Sequence, residues 1–454
     1  MKFGGTSVGS PSAIERACSI IQSRAGRHPL VVVSAIGDTT DRLVEAAEAG
    51  PVARVDVLTE IRDRTEAVIR ALVSGGAAAE MVRFLDQAMA EAKDLLRTLD
   101  SSSQVTSPSA ELDALLGIGE RISSRLVTLA LIHRGLAACN PDSRELFVTE
   151  ARHGGAGPLL DPTRRCLQLA VPQVLAEGKV PVIGGFIATG EDGSPTTLGR
   201  GGSDYTASLA GAALGAEEVQ IWTDVDGVMT ADPSLVDSAR SLPLLSIREA
   251  SELAYFGGRV LHPSTMLPAI ESGIPIRVLN SRHPESEGTL IVTEPTESET
   301  VVKSVVYKEN ITLIDIYSTR MLMAHGFLAQ VFAIFEKHET PVDMVSTSEV
   351  SVSMTVDRTE SLPGILEDLS EISDAEATPG KAIVCVVGEG IRYTPGIAAK
   401  VFNSLEGIRI RMISLGASRV NVGFVIDEND LEVAVRRLHA TFFDEPRLRK
   451  GQLQ

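Results

Sequence analysis

Short apolar runs alternate along the first half of the chain with longer stretches of helical spacing. Leu30-Val31-Val32-Val33-Ser34-Ala35 is continuous, β-branched and ends in small residues before Gly37. Such a run predicts a strand buried on both faces, and so a parallel sheet. Lys179 to Ala188 repeats the pattern with a break at Gly184-Gly185. Val219-Gln220-Ile221-Trp222 repeats it again, and Phe147-Val148-Thr149 is a shorter version. Between these runs, helical spacing covers Pro11 to Arg24 and residues 52 to 99, the latter interrupted at Ser74-Gly75-Gly76. Further helices are predicted from Ala110, with Gly117 and Gly119 inside, and over the Ala- and Leu-rich stretch 206–214. Strand and helix in alternation predict an α/β fold.

From residue 299 the pattern changes to a repeat of about 70 residues. Ile311-Thr312-Leu313-Ile314-Asp315-Ile316 matches Ala382-Ile383-Val384-Cys385-Val386-Val387, and Gly326-Phe327-Leu328-Ala329-Gln330-Val331-Phe332 matches Gly396-Ile397-Ala398-Ala399-Lys400-Val401-Phe402. Val342-Asp343-Met344-Val345-Ser346 matches Ile410-Arg411-Met412-Ile413-Ser414. Each copy reads strand, Gly-capped helix, strand, strand. This is a small α+β module without a catalytic constellation, suited to sensing or dimerisation. The predicted domains are 1–295, 299–380 and 381–447. A chain of 454 residues is long enough for such a set of cores.

The net charge of −18 argues against nucleic acid as a partner. No apolar run approaches the roughly 18 residues a membrane span needs. The start carries a charge and glycines rather than a leader pattern. The four cysteines are scattered, without metal spacing, and read as reduced thiols of a cytoplasmic protein.

Candidate chemistry begins at Lys2-Phe3-Gly4-Gly5-Thr6-Ser7-Val8-Gly9. A cation beside glycines can cradle phosphate, yet the P-loop spacing is absent, and a Gly-rich turn explains the segment equally well. Asp38-Thr39-Thr40-Asp41 follows the C-terminal end of a predicted strand, where open α/β sheets bind ligands, although Thr40 or Asp41 also suits a helix N-cap. Glu120 reads from its pattern as a surface partner of Arg121 or Arg125. Gly199-Arg200-Gly201-Gly202-Ser203-Asp204 at a helix start combines exposed amides, a dipole and a guanidinium fork, an anion site in physical terms. A cap by Ser203 or Asp204 explains the helix start but not Arg200. Thr223-Asp224-Val225-Asp226 suits a metal, a ribose, a base edge or an Asx turn. Phe256-Gly257-Gly258-Arg259-Val260-Leu261-His262-Pro263 sets another cation beside glycines.

Taken together and in order, Lys2–Ser7, Gly199–Asp204, Trp222–Val225 with Asp232-Pro233, and Phe256–Pro263 resemble the aspartate kinase family. The repeats resemble its tandem ACT domains. The resemblance implies an amino-acid kinase fold, a mainly parallel sheet flanked by helices, followed by a tandem ACT region. It implies transfer of the γ-phosphoryl group of ATP to the β-carboxylate of L-aspartate, toward lysine, threonine and methionine. By this similarity Lys2, Asp204 and Arg259 are catalytic. Lys2, Phe3, Gly4, Gly5, Thr223, Asp224, Met229, Ser234, Arg259 and Val260 hold ATP, with the N–H groups of Gly4 and Gly5 cradling phosphate. Thr40, Glu120, Arg200, Gly201, Gly202 and Ser203 hold aspartate, Glu120 taking its ammonium and Arg200 its α-carboxylate. Mg²⁺ is carried by the ATP phosphates and water, with no dedicated metal site.

The chain departs from the family pattern at Arg259, where Lys is usual, and at Met229 and Ser234, where Tyr and Arg are usual. Relatives also carry strand residues before the first Lys, so further strand is expected upstream of Met1. Nothing after the second repeat suggests a fused dehydrogenase. Met321, Phe327, Leu328, Val342, Asp343, Thr347, Ser348 and Glu349 resemble the effector site of the lysine-inhibited form, with Asp343 and Glu349 meeting an ammonium. Met323 and Ala324 replace polar residues there, and threonine is the alternative effector. The resemblance also implies a homodimer or homotetramer through the ACT domains. The competing readings are an amino-acid sensor with a vestigial kinase domain and a kinase of another amino acid.

Overall fold

The computed structural model describes residues 1–101, 107–257, 263–293, 301–321 and 325–444. Arg259, Val260, Met323 and Ala324 lie outside them. The chain divides into two units. The first comprises Met1–Val228, Pro243–Leu245 and Val260–Thr293, the second Met229–Leu242, Ser246–Arg259 and Glu294–Gln454.

The strands of the first unit are β1 (Lys2–Phe3), β2 (Val31–Val33), β3 (Ala138–Cys139), β4 (Val148–Thr149), β5 (Val180–Gly184), β6 (Ile187–Gly190), β7 (Pro195–Thr197), β8 (Val219–Thr223), β9 (Leu244–Ser246), β10 (Ile276–Asn280) and β11 (Thr289–Val292). Eight of them form one sheet in the order β3-β5-β2-β1-β8-β10-β11-β9. The pairings from β3 through β10 are parallel, and β10 with β11 is antiparallel. Every side chain of β2 and β5 is buried, the condition their unbroken apolar runs anticipate. β4, β6 and β7 make a separate small sheet.

β1 is central although only two residues long. Lys2 pairs with Val32 on one side and Ile221 on the other. Phe3 is fully buried and stacks on Trp222, with ring centroids 5.9 Å apart. Alternation along the strand sends Lys2 to the opposite face. The helix after the first glycines, Pro11–Ser23, starts cleanly because Pro11 is at its first position and the Ser10 hydroxyl accepts the Ala13 N–H at 3.2 Å. The predicted helix from Ala110 is divided at Gly117 into Ala110–Leu116 and Ile118–His133.

The second unit carries one six-stranded sheet. Its strands are β12 (Ser304–Tyr317), β13 (Val345–Thr347), β14 (Ser351–Val356), β15 (Asp374–Val387), β16 (Ile410–Leu415) and β17 (Asn421–Asp427). The order β13-β14-β12-β15-β17-β16 places the first strands of both repeats side by side, antiparallel. Each copy also ends in a helix, Leu362–Ser370 and Leu431–His439, which the repeat pattern left out. β15 runs through position 380, so the second copy's first strand begins at Asp374. Residues 229–242 and 246–259, inside the predicted domain 1–295, group with this unit. No described helix is long and apolar enough to cross a membrane.

Candidate active site

Parallel strands bring their C-terminal ends to one edge of the sheet, and the chemistry-bearing loops gather there. Gly4-Gly5 leaves β1, Ser34 to Thr40 follows β2, Gly184 ends β5, and Thr223 ends β8. Facing β1 is the helix Gly202–Leu214. Asp204, in its first turn, meets Lys2 with Nζ 2.7 Å from Oδ1, and the two side chains are only 12% and 16% exposed.

The glycine segment folds as a 3-10 turn over Gly5–Ser7. A Cβ on Gly5 would stand 2.8 Å from the Gly37 carbonyl oxygen, so the turn requires glycine there. Gly4 N–H donates to the Trp222 carbonyl at 3.1 Å, extending the β1–β8 ladder. Gly4 N–H is therefore engaged within the sheet, and Phe3 puts its side chain in the core. The N–H groups of Gly5 and Thr6 open the turn and have no intrahelical acceptor. Ser281, which the sequence did not single out, locks this turn to the sheet. Its hydroxyl lies 2.8 Å from that of Ser7 and donates to the Thr223 carbonyl at 3.0 Å.

Glu120 is not a surface residue. Arg121 pairs with Glu91 and Arg125 with Glu80, each at 2.7 Å, while Glu120 points inward and is 4% exposed. Its Oε1 accepts the Ala35 N–H at 3.1 Å, and its Oε2 is buried with no partner among the described residues. Burial pushes the carboxyl up to about 7, against the Ala35 hydrogen bond that favours the charged form. Gly119 lets this helix close on the loop after β2, since a Cβ there would be 2.7 Å from that of Ala35. Arg200, by contrast, is exposed and has no partner among the described residues. The cap of the helix Gly202–Leu214 is Gly201 at φ +68°, so neither Ser203 nor Asp204 caps it. Gly202 N–H donates to the Gly199 carbonyl at 2.9 Å, leaving the amides of Ser203 and Asp204 at the helix start. Thr40 is half-buried as the second residue of the helix Thr39–Glu48, whose cap position is Asp38.

Ser203 packs against the residue that follows β5, because a Cβ on Gly185 would lie 2.5 Å from the Ser203 Cβ. Phe186 beside it holds a left-handed backbone, φ +69°, with its N–H donated to Thr206 Oγ1 at 2.9 Å. Thr223 Oγ1 donates to Asp224 Oδ1 at 3.2 Å, and Asp224 is exposed.

Comparison with known proteins gives this arrangement a family. The amino acid kinase family profile matches residues 1–280, and an ACT domain profile matches residues 384–442. The lysine-sensitive aspartokinase 3 of Escherichia coli is 37% identical over 98% of this chain and 98% of its own length. The chain belongs to the aspartokinase family.

Aspartokinase 1 of Arabidopsis thaliana chloroplasts is 35% identical over 99% of this chain and 83% of its own length. The crystal structure of E. coli aspartokinase III with aspartate and ADP, in its R-state, covers 97% of this aspartokinase and 99% of its own chain, with 37% identity and a TM-score of 0.83. The same relative with lysine and aspartate, in its T-state, covers 97% and 98%, with 36% identity and a TM-score of 0.82.

The remaining residues singled out in this aspartokinase lie in the second unit. Met229 bridges Ser241, and the Ser234 amide and hydroxyl both donate to Asp232 Oδ1, at 2.8 and 2.7 Å. Met321, Phe327 and Val342 belong to one apolar cluster of the first repeat. Leu328, Thr347, Ser348 and Glu349 are exposed. The Asp343 side chain is 3% exposed and accepts at Oδ1 from Lys308 Nζ at 2.7 Å and from Tyr255 Oη at 3.0 Å. Its Oδ2 is buried without a partner among the described residues, and burial pushes its carboxyl up. An ammonium of the chain itself thus already meets the carboxylate that the sequence reserves for an effector.

Proposed function

We propose that the edge of the first sheet transfers the γ-phosphoryl group of ATP to the β-carboxylate of L-aspartate, giving 4-phospho-L-aspartate. A carboxylate is a nucleophile at neutral pH without a base, so catalysis reduces to placing two anions and neutralising the moving charge. The observations that carry this reading are the Lys2–Asp204 pair and the buried, half-unpartnered Glu120 of the same unit. Lys2 supplies the point charge for the transferring phosphoryl group and Asp204 fixes its position. The amides of Gly5 and Thr6 bind phosphate oxygens, and Thr223 and Asp224 border the nucleotide. Glu120 Oε2 takes the substrate ammonium, Arg200 takes the α-carboxylate, and Thr40 with Gly201, Gly202 and Ser203 lines the amino-acid side. Arg259 and Val260 remain assigned to ATP, with Met229 and Ser234, on the resemblance. Mg²⁺, carried by the ATP phosphates, neutralises their charge when bound.

Lysine is the proposed inhibitor, with threonine as the alternative, through Met321, Phe327, Leu328, Val342, Asp343, Thr347, Ser348 and Glu349. The paired repeats are assigned, on the resemblance to tandem ACT domains, to a homodimer or homotetramer. Four free cysteines support a cytoplasmic site of action. The test is acyl phosphate trapped by hydroxylamine, with aspartate and Mg-ATP, with and without lysine and threonine. Aspartyl hydroxamate is expected. Its absence together with activity on another amino acid would reassign the substrate, and lysine binding without nucleotide binding would favour a sensor.

A further inference from the structure

A buried carboxylate lies outside the residues assigned so far. Asp113, on the short helix Ala110–Leu116, is 2% exposed. Its Oδ1 accepts the Thr197 hydroxyl at 2.6 Å and the Gly154 N–H at 3.3 Å. Its Oδ2 accepts the same N–H at 3.2 Å and His153 Nδ1 at 3.2 Å. All the donors come from two other segments. Those segments also hold each other, because Ala156 N–H donates to the Thr197 carbonyl at 2.8 Å and a Cβ on Gly199 would lie 3.1 Å from the Gly155 Cα.

The topology gives this junction a consequence. Thr197 ends β7, three residues before Arg200. Asp113 precedes the Gly117 break, after which the next helix turn carries Glu120. We infer that Asp113 is a positioning residue that sets the spacing between Glu120 and Arg200, and so the fit of the site to the two charges of an α-amino acid. This role presupposes the assignment of Glu120 and Arg200 to the substrate. Arg200 has no side-chain partner among the described residues, so its backbone anchor is what limits where the guanidinium reaches. Asp113 touches no substrate and acts through Thr197 and Gly154. A buried carboxylate with several donors is costly to replace, because each donor loses its acceptor in the interior.

The test is steady-state hydroxamate kinetics on the full chain, as wild type, Asp113→Asn, Thr197→Val and Thr197→Ser. Calorimetric titration with aspartate accompanies the kinetics. Asp113→Asn and Thr197→Val are expected to raise the aspartate KM about tenfold or more, with the ATP KM within about twofold of wild type. Thr197→Ser keeps the hydroxyl and is expected to restore the aspartate KM. An unchanged aspartate KM in both disruptive variants overturns the inference, as does a parallel rise in both KM values, the mark of a merely structural role. If Asp113→Asn does not fold, the Thr197 pair decides. If the wild type prefers another amino acid, the substrate assignment fails by itself, and the same KM comparison with that amino acid judges Asp113.

Discussion

Lys2 Nζ and Asp204 Oδ1 are 2.7 Å apart, one on the central strand of the sheet and the other in the first turn of the helix that faces it. Both side chains are largely shielded from water, which strengthens the attraction between the two charges. Lys2→Met is expected to lower kcat by about 10²–10³-fold, the usual effect of losing a charge aimed at a transition state. Lys2→Arg should recover part of it. Hydroxamate formation at saturating substrates measures this. A kcat for Lys2→Met within about threefold of wild type would remove Lys2 from the chemistry.

Glu120 makes substrate affinity depend on pH. Its carboxyl titrates at about 7, and only the ionised form receives an ammonium well. The aspartate KM is expected to rise about tenfold between pH 8 and pH 6, as the protonated fraction grows. Glu120→Gln should start from a high KM and lose the slope. The same group affects stability with a definite sign. The folded chain holds this proton up to about 7, whereas the unfolded chain releases it near the ordinary glutamate value of 4.5. Its contribution is thus complete below the unfolded value and is lost as pH rises through 7. Urea unfolding of wild type and Glu120→Gln across this range measures the difference.

Gly185→Ala tests the contact between the end of β5 and the start of the Asp204 helix. The new methyl would meet Ser203 backbone and side-chain atoms at 2.5 to 2.7 Å, too close without moving that helix start. Activity should fall by about 10²-fold or more, because misplacing a positioned group by an ångström costs that much. Far-UV circular dichroism should stay near wild type. Full activity would show that Ser203 and Asp204 tolerate displacement.

Asp343 and Lys308 give opposed expectations for lysine. Asp343→Ala removes the acceptor and should weaken lysine inhibition about tenfold or more, while leaving basal activity in place. Lys308→Met frees Asp343 Oδ1 of its internal ammonium, so lysine should inhibit at lower concentration. Inhibition curves measure both. Equal inhibition of wild type and both variants would dissociate this pair from the effector.

What the sequence revealed follows how local each feature is. The apolar run Val31–Val33 and the glycines around Arg200 are contiguous, so the parallel sheet and the helix that follows those glycines could be read directly. The capture of Gly4 N–H by Trp222 depends on which strand lies beside β1, and no local pattern contains that order. Glu120 was misread because neighbouring arginines offered it obvious partners, and the structure gives those arginines to a different helix. The role of Asp113 is not legible in the sequence because an aspartate near a helix start looks solvated, and its donors lie 40, 41 and 84 positions away. Lys308 and Asp343 are 35 positions apart and showed no pattern linking them.

The regulatory unit is stitched with thread from the middle of the chain. Buried His439 Nε2 lies 2.9 Å from Thr230 Oγ1, Tyr307 Oη donates to Asp232 Oδ2 at 2.9 Å, and Glu252 accepts from Ser418 at 2.7 Å and Asn421 at 2.6 Å. A graft cut near residue 295 would carry the repeats away without these residues. The tandem module is therefore not a cassette. Its natural seams lie further back, at Val228 and around Pro243–Leu245, and a transplant of feedback control from one relative to another would have to respect them.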